Sequence, residues 1–233
     1  MAVPGAESRE ICISADEFAV LSSYIRDETF LQLCRVTFES GCRPQEILRV
    51  EARHFDERNA RWVMPVSEAK GKKRPRIVYL TAFALDVTRK LVAQFPEGKL
   101  FRNTRGKAWT TVSVNCAVDR LRARMGKAEM QRQGLDLKQM VNYQIKLPDG
   151  TIPVNQSLRV KVGNAIASKY ATRYSLYALR HSWATRALQS GVDALTVAIL
   201  MGHNDPSTLS RVYQHLAHNP EHMRAQAKKA IGE

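Results

Sequence analysis

Apolar side chains recur three or four residues apart at the start of this 233-residue chain, give way to a strand-like run between Arg61 and Leu80, and then resume the helical spacing. This switch constrains the fold most, because a helical stripe and a pleated face repeat at different periods and do not interchange. Ser14-Ala15-Asp16-Glu17 has the form of a capping box, and Phe18, Leu21 and Ile25 mark one face of the helix after it. Phe30, Leu31, Cys34 and Phe38 mark a second helix, which Gly41 can end in the left-handed conformation. Pro44 suits the first turn of a third, where its missing N–H would have had no partner. Arg61 to Val66 and Arg76 to Leu80 are rich in β-formers, with Gly71 in the connection, and predict a small antiparallel sheet. Helical spacing returns with Leu85, Thr88, Leu91, Val92 and Phe95 and ends at Pro96 and Gly98. Another helix is expected from Thr111 to Met125, stopped by Gly126.

Residues 1–12 read as a loose tail and residues 13–233 as one domain, with 127–172 as an insertion inside it. In that insertion Val141, Tyr143, Ile145 and Leu147 alternate, Pro148-Asp149-Gly150 follows, and Ile152 and Val154 continue the alternation. The pattern predicts a β-hairpin, with Pro153 confining its second strand to an edge. From Ser175 the chain reads as helices, one stopped by Gly191. Asp205-Pro206 and Asn219-Pro220 each pair a cap with a proline at the first helical position, the second opening a C-terminal helix over 219–231.

Lys and Arg number 36 against 22 Asp and Glu, a net charge of +14 with histidine neutral. The cations cluster: five of the seven residues from Lys70 to Arg76 are basic, and four more lie between Lys99 and Lys107. Clustering of this kind is the footprint of a polyanion binder rather than of a merely soluble basic protein. No apolar run approaches the ~18–20 residues needed to cross a membrane, and Met1 to Arg9 lacks an apolar signal core. Cys12, Cys34, Cys42 and Cys116 form no C-x-x-C pair, which argues against a disulfide or zinc site and for a reduced, cytoplasmic setting. No metal-ligand spacing and no glycine-rich phosphate loop implies a cofactor.

Five residues spread along the chain carry more than their individual contexts do. Arg43 lies in Gly41-Cys42-Arg43-Pro44-Gln45-Glu46, and Lys70 opens Lys70-Gly71-Lys72-Lys73-Arg74. Arg180 lies in Tyr177-Ala178-Leu179-Arg180-His181, His203 closes Leu200-Met201-Gly202-His203, and Tyr213 sits in Val212-Tyr213-Gln214-His215-Leu216. Singly, each has an ordinary structural explanation. In this order and spacing they resemble the active site of the tyrosine recombinases, the phage-integrase family. The resemblance extends from about residue 14 to 231, apart from 127–172.

The resemblance implies an α+β fold, mainly α, in which helices accompany a small three-stranded antiparallel sheet. It implies site-specific cleavage and rejoining of double-stranded DNA through a 3′-phosphotyrosyl intermediate. The protein would be a monomer alone and a homo-tetramer on DNA, serving a bacterial or phage mobile element. Arg43 and Arg180 would clamp the phosphate, a role that suits the forked, permanently charged guanidinium. Tyr213 would be the nucleophile, His203 its partner in hydrogen bonding or proton transfer, with an imidazole titrating near pH 6.5. Lys70 would protonate the leaving 5′ oxygen, with Lys72 and Lys73 as rivals. Lys72, Lys73, Arg74, Arg76, Arg102, Arg105 and Lys107 are expected to contact DNA. The family usually has His, sometimes Lys, where this chain has Tyr177; a phenol donates a hydrogen bond but adds no charge near pH 7. Tyr177 is therefore either a neutral member of the site or a packed core residue. Two alternative activities stay open at this point: relaxation of DNA in the manner of a type IB topoisomerase, and non-catalytic DNA binding on the same fold.

Overall fold

The computed structural model describes residues 12–71 and 73–203, together with Met223, Arg224 and Lys228. The expected Asp205-Pro206 and Asn219-Pro220 helix starts, Lys72 and Tyr213 lie outside the described residues. The chain divides into two compact units, one comprising residues 1–14, 32–108 and 176–233, the other residues 15–31 and 109–175.

The first unit holds the sheet. β1 (Phe55–Asp56), β2 (Arg61–Met64) and β3 (Arg76–Tyr79) pair antiparallel in the order β1-β2-β3, with Trp62 opposite Val78 and Met64 opposite Arg76. Alternation along β2 buries Trp62 and Met64, as a half-covered sheet requires. The fully buried Trp62 donates its indole N–H to Thr88 Oγ1 and meets the edge of Phe101 at 6.0 Å. Thr88 belongs to the helix Ala82–Gln94, which Thr81 caps through the N–H of Ala84. Two further helices of this unit, Leu176–Gln189 and Ala194–Met201, pack through Ala184, Val197, Ala198 and Met201. Gly41, at φ +61°, lies against the indole of Trp183; a Cβ there would come within 2.6 Å of the ring. In chain order these helices are α4, α8 and α9, since α1 (Ala15–Ser23), α2 (Glu28–Ser40) and α3 (Pro44–Ile47) precede them and three helices of the second unit intervene.

Those three helices are α5 (Thr111–Arg132), α6 (Leu137–Ile145) and α7 (Gln156–Ala167). They correct two expectations. Gly126 does not stop α5; it lies inside the helix because Ala167 O occupies the space where a Cβ would stand, at 1.8 Å. The predicted hairpin over 141–154 is instead helix α6, a turn and a cap. Val141 and Ile145 are buried with Met130, Ile166 and Ala167, whereas Tyr143 is exposed. Only the turn survives, with Gly150 N–H donating to Leu147 O and Leu147 N–H to Thr151 O. Asn155 then caps α7 through the N–H of Leu158.

Candidate active site

Arg43, Lys70, Tyr177, Arg180 and His203 all lie in the first unit. Arg43 immediately precedes the short helix α3, and Glu46 in that helix accepts its backbone N–H at 2.7 Å. The same carboxylate accepts Arg43 Nη1 at 2.7 Å and Arg76 Nε at 2.9 Å. Glu46 is buried, and burial alone would raise its pKa; the Arg76 and Arg43 charges and the Arg43 N–H outweigh that and hold it below the ordinary carboxylate value. Glu46 is thus the carboxylate that fixes two guanidiniums, a role the sequence reading missed. The signal was present: an acid three residues after an arginine that starts a helix is placed to fold back on it.

The end of α9 completes the arrangement. Gly202, at φ +67° and ψ 38°, turns the chain out of the helix, and a Cβ there would lie 2.8 Å from Arg76 Cδ. The N–H groups of Gly202 and His203 donate to Ile199 O and Ala198 O, which closes two of the helix's terminal carbonyls. Each of the next four carbonyls accepts from a different arginine. Arg76 Nη1 donates to Leu200 O at 2.7 Å and Arg180 Nη2 to Met201 O at 2.7 Å. Arg43 Nη2 donates to Gly202 O at 2.6 Å and Arg74 Nη2 to His203 O at 2.8 Å. Cations belong at this negative end of a helix dipole. Arg180, only 2 % exposed, also donates to Gly41 O at 2.6 Å. Burial first, then the Arg43 charge, pulls its pKa down to about 10, so it stays protonated at neutral pH.

His203 corrects an expectation. Rather than titrating near 6.5, its imidazole is pushed down to about 4 by burial and then by the charges of Arg180, Arg43 and Arg76. It is neutral at pH 7, and among the described residues its buried Nδ1 has no hydrogen-bond partner.

Lys70 and Tyr177 line one cleft of about 690 Å³ with Arg43, Arg49 and Arg76. Tyr177 is 55 % exposed, which rules out the core reading, and its ring stands edge-on to His181 at 4.6 Å. Arg49, exposed in this cleft, was not among the expected residues. Arg76, expected on a DNA-binding surface, is corrected: it is 6 % exposed and bound to Glu46 and Leu200 O, because it lies in β3 at a position facing the core. Arg102 turns back onto the Phe95 ring and donates to the carbonyls of Glu97 and Lys99. Lys73, Arg105 and Lys107 are exposed.

The sequence profile of the phage integrase family matches residues 155–219. Tyrosine recombinase XerD of Vibrio cholerae serotype O1 is 38 % identical over 74 residues, 29 % of this chain and 24 % of that protein. Both matches tie part of the chain to the tyrosine recombinases by sequence. The fold is that of tyrosine recombinase catalytic domains. The Tn1549 transposon integrase, solved with transposon right end DNA, matches with TM-score 0.64 at 13 % identity, over 99 % of this chain and 69 % of that one. XerA recombinase matches with TM-score 0.58 at 15 % identity, over 99 % and 67 %. XerH recombinase, bound to its difH substrate, matches with TM-score 0.53 at 18 % identity, over 86 % and 49 %. The chain matches about a quarter of the length of its XerD relative. No helix among the described residues is long and apolar enough to cross a membrane. All four cysteines carry free thiols, and burial raises the pKa of Cys42 to about 11.

Proposed function

We propose that this chain is a tyrosine site-specific recombinase that cleaves and rejoins double-stranded DNA. The observation that carries this reading is the convergence of Arg43, Arg180 and His203 at the end of α9, beside a cleft that Lys70 lines. Phosphoryl transfer from DNA builds charge on the non-bridging oxygens, and fixed guanidiniums in a partly buried site stabilise that charge without rearranging. Arg43 and Arg180 supply it. The phenol oxygen of Tyr213 bonds to phosphorus, and the bond from phosphorus to the 5′ oxygen breaks. The phenol proton passes to His203, whose imidazole is neutral and so able to accept it. The leaving 5′ oxygen takes its proton from Lys70. A 5′ hydroxyl from a second duplex then reverses the sequence and releases Tyr213.

Tyr177, exposed in the cleft, donates a hydrogen bond to a phosphate oxygen in this scheme and brings no charge. Lys72, Lys73, Arg105 and Lys107 hold flanking phosphates, contacts that fix register without reading bases. Four protomers act together on paired sites, the chain being a monomer without DNA, and the setting is the cytoplasm of a bacterium carrying a mobile element. The Tn1549 integrase and XerH, both solved on DNA, share the fold and support the choice of substrate.

The test is strand exchange between two labelled duplex pools containing sequences recovered from DNA trapped on the protein. Exchanged products that depend on Tyr213 are expected. Relaxation of supercoiled DNA regardless of sequence, without exchange, would replace the recombinase reading with a topoisomerase.

A further inference from the structure

The four arginines on the carbonyls of residues 200–203 come from three places in the chain, and two of them share one arm of a hairpin. Arg76 opens β3, and Arg74 lies two residues before it across Pro75. They take the first and last carbonyls of the set, those of Leu200 and His203. Lys70 lies in the same β2–β3 connection. Nothing in Gly202 itself fixes where the end of α9 points, since it has no side chain and adopts a left-handed conformation. Its position comes from the groups that grip its carbonyls. Arg43 and Arg180, the proposed phosphate clamps, hold the middle pair. Arg74 alone among these arginines grips the carbonyl of His203 itself.

We infer that Arg74 is a positioning residue for His203, and that it ties the hairpin carrying Lys70 to the end of α9 so that the two proton-handling groups are placed together. The inference rests on the recombinase reading for its consequence in catalysis, but its structural content does not. Arg74 sits in a run of cations whose simplest reading is contact with DNA phosphate. Its guanidinium is instead spent on a backbone carbonyl 129 residues away in sequence. A hairpin held this way cannot retract Lys70 from the cleft without also loosening His203.

Among the described residues, the charged and titratable groups that act on the His203 imidazole are Arg180, Arg43, Arg76 and His181. Arg74 touches its carbonyl. Arg74→Ala, an exposed site, separates the two readings by measurements that need no cognate DNA. The imidazole of His203 is titrated by NMR in the free protein at about 1 M salt, where screening over roughly 3 Å removes the through-space effect of a surface charge. In the parent the group titrates near pH 4; in Arg74→Ala it is expected to move up toward the ordinary value, as the imidazole leaves its buried place. Binding of a mixed-sequence duplex is measured against salt in parallel, and its slope is expected to match the parent. At saturating trapped-sequence DNA, single-turnover cleavage should fall about tenfold to a hundredfold with Kd unchanged. A 5′-bridging phosphorothiolate should not restore it fully, because His203 is displaced as well as Lys70. An unmoved His203 titration, or a salt slope reduced by about 0.9, the value of one lost phosphate contact, overturns the inference. Full rescue by the phosphorothiolate also overturns it. If the parent itself forms no adduct, the recombinase reading fails while the titration and the salt slope still decide the role of Arg74.

Discussion

Replacing Glu46 by Gln should destabilise the first unit more than any exposed ion-pair substitution. The carboxylate accepts Arg43 Nη1 at 2.7 Å, Arg76 Nε at 2.9 Å and the Arg43 N–H at 2.7 Å, with side-chain exposures of 9 % for Glu46 and 6 % for Arg76. Gln keeps one acceptor oxygen, removes the charge and turns an N–H₂ group toward guanidiniums that can only donate. Breaking a buried pair from one side leaves uncompensated charge and costs about 3–5 kcal/mol. At about 2–4 °C per kcal/mol for a chain of this size, Tm should drop by about 6–20 °C. The control is Glu57→Gln, whose partner Arg89 sits at 2.7 Å with both side chains more than half exposed. Such a surface pair contributes about 0–1 kcal/mol, so that Tm should move by no more than about 4 °C. Thermal unfolding followed by circular dichroism at neutral pH compares the two. The pH dependence has a fixed sign: the folded pKa of Glu46 lies below its unfolded value, so its stabilisation is present above the unfolded pKa and is lost as pH falls through the folded one. The difference between parent and Glu46→Gln should therefore shrink in acid. Equal, small shifts in both variants would refute the claim that Glu46 holds the arginines in place.

Three further outcomes are expected. Lys70→Ala should slow cleavage of ordinary DNA and be rescued by a 5′-bridging phosphorothiolate, whose thiolate leaves without a proton; absence of rescue would move the general-acid role to Lys72 or Lys73. The free protein should show His203 deprotonating near pH 4, and binding of duplex DNA should raise that value because phosphate offsets the three arginine charges; a free-protein value near 6.5 would contradict the burial argument. Its folded pKa lies below the unfolded one, so the contribution of neutral His203 to stability is lost as pH falls from about 6.5 toward 4. Gly126→Ala should destabilise the second unit by at least the ~1–3 kcal/mol of an overpacked core, since its Cβ would meet Ala167 O at 1.8 Å; a neutral melt would show that α5 and residue 167 move apart freely.

The sheet and most helices were legible because their periods differ and their ends are written in the chain, as with Gly41 after α2 and Pro44 opening α3. The false hairpin has a physical cause. Val141 and Ile145 are four apart and buried, while Tyr143 and Leu147 are four apart and exposed. A buried helical pair, with exposed Tyr143 between its members and exposed Leu147 just after the helix, reads as strand alternation, since residues four apart share a face in both structures. Gly126 misled because its partner, a backbone carbonyl of Ala167, carries no sequence signal. The site divides the same way. Arg43, Arg180 and His203 were singled out only by their joint order along the chain, and the structure brings all three to the end of α9. The grip of four arginines on α9 was not legible, because its acceptors are main-chain oxygens. The low pKa of His203 follows from its burial first and then from the charges of Arg180, Arg43 and Arg76, and was equally invisible. Arg76 looked like one more surface cation until β3 turned it inward.

The proposed reaction passes through Tyr213. The direct measurement is to trap the protein on a pool of nicked duplexes, digest the adduct and locate the nucleotide remnant by mass spectrometry. A 3′-phosphotyrosyl link is expected on Tyr213 alone, lost in Tyr213→Phe while DNA affinity is kept. A remnant on Tyr177 or any other residue, or no covalent adduct with the parent chain, would contradict it.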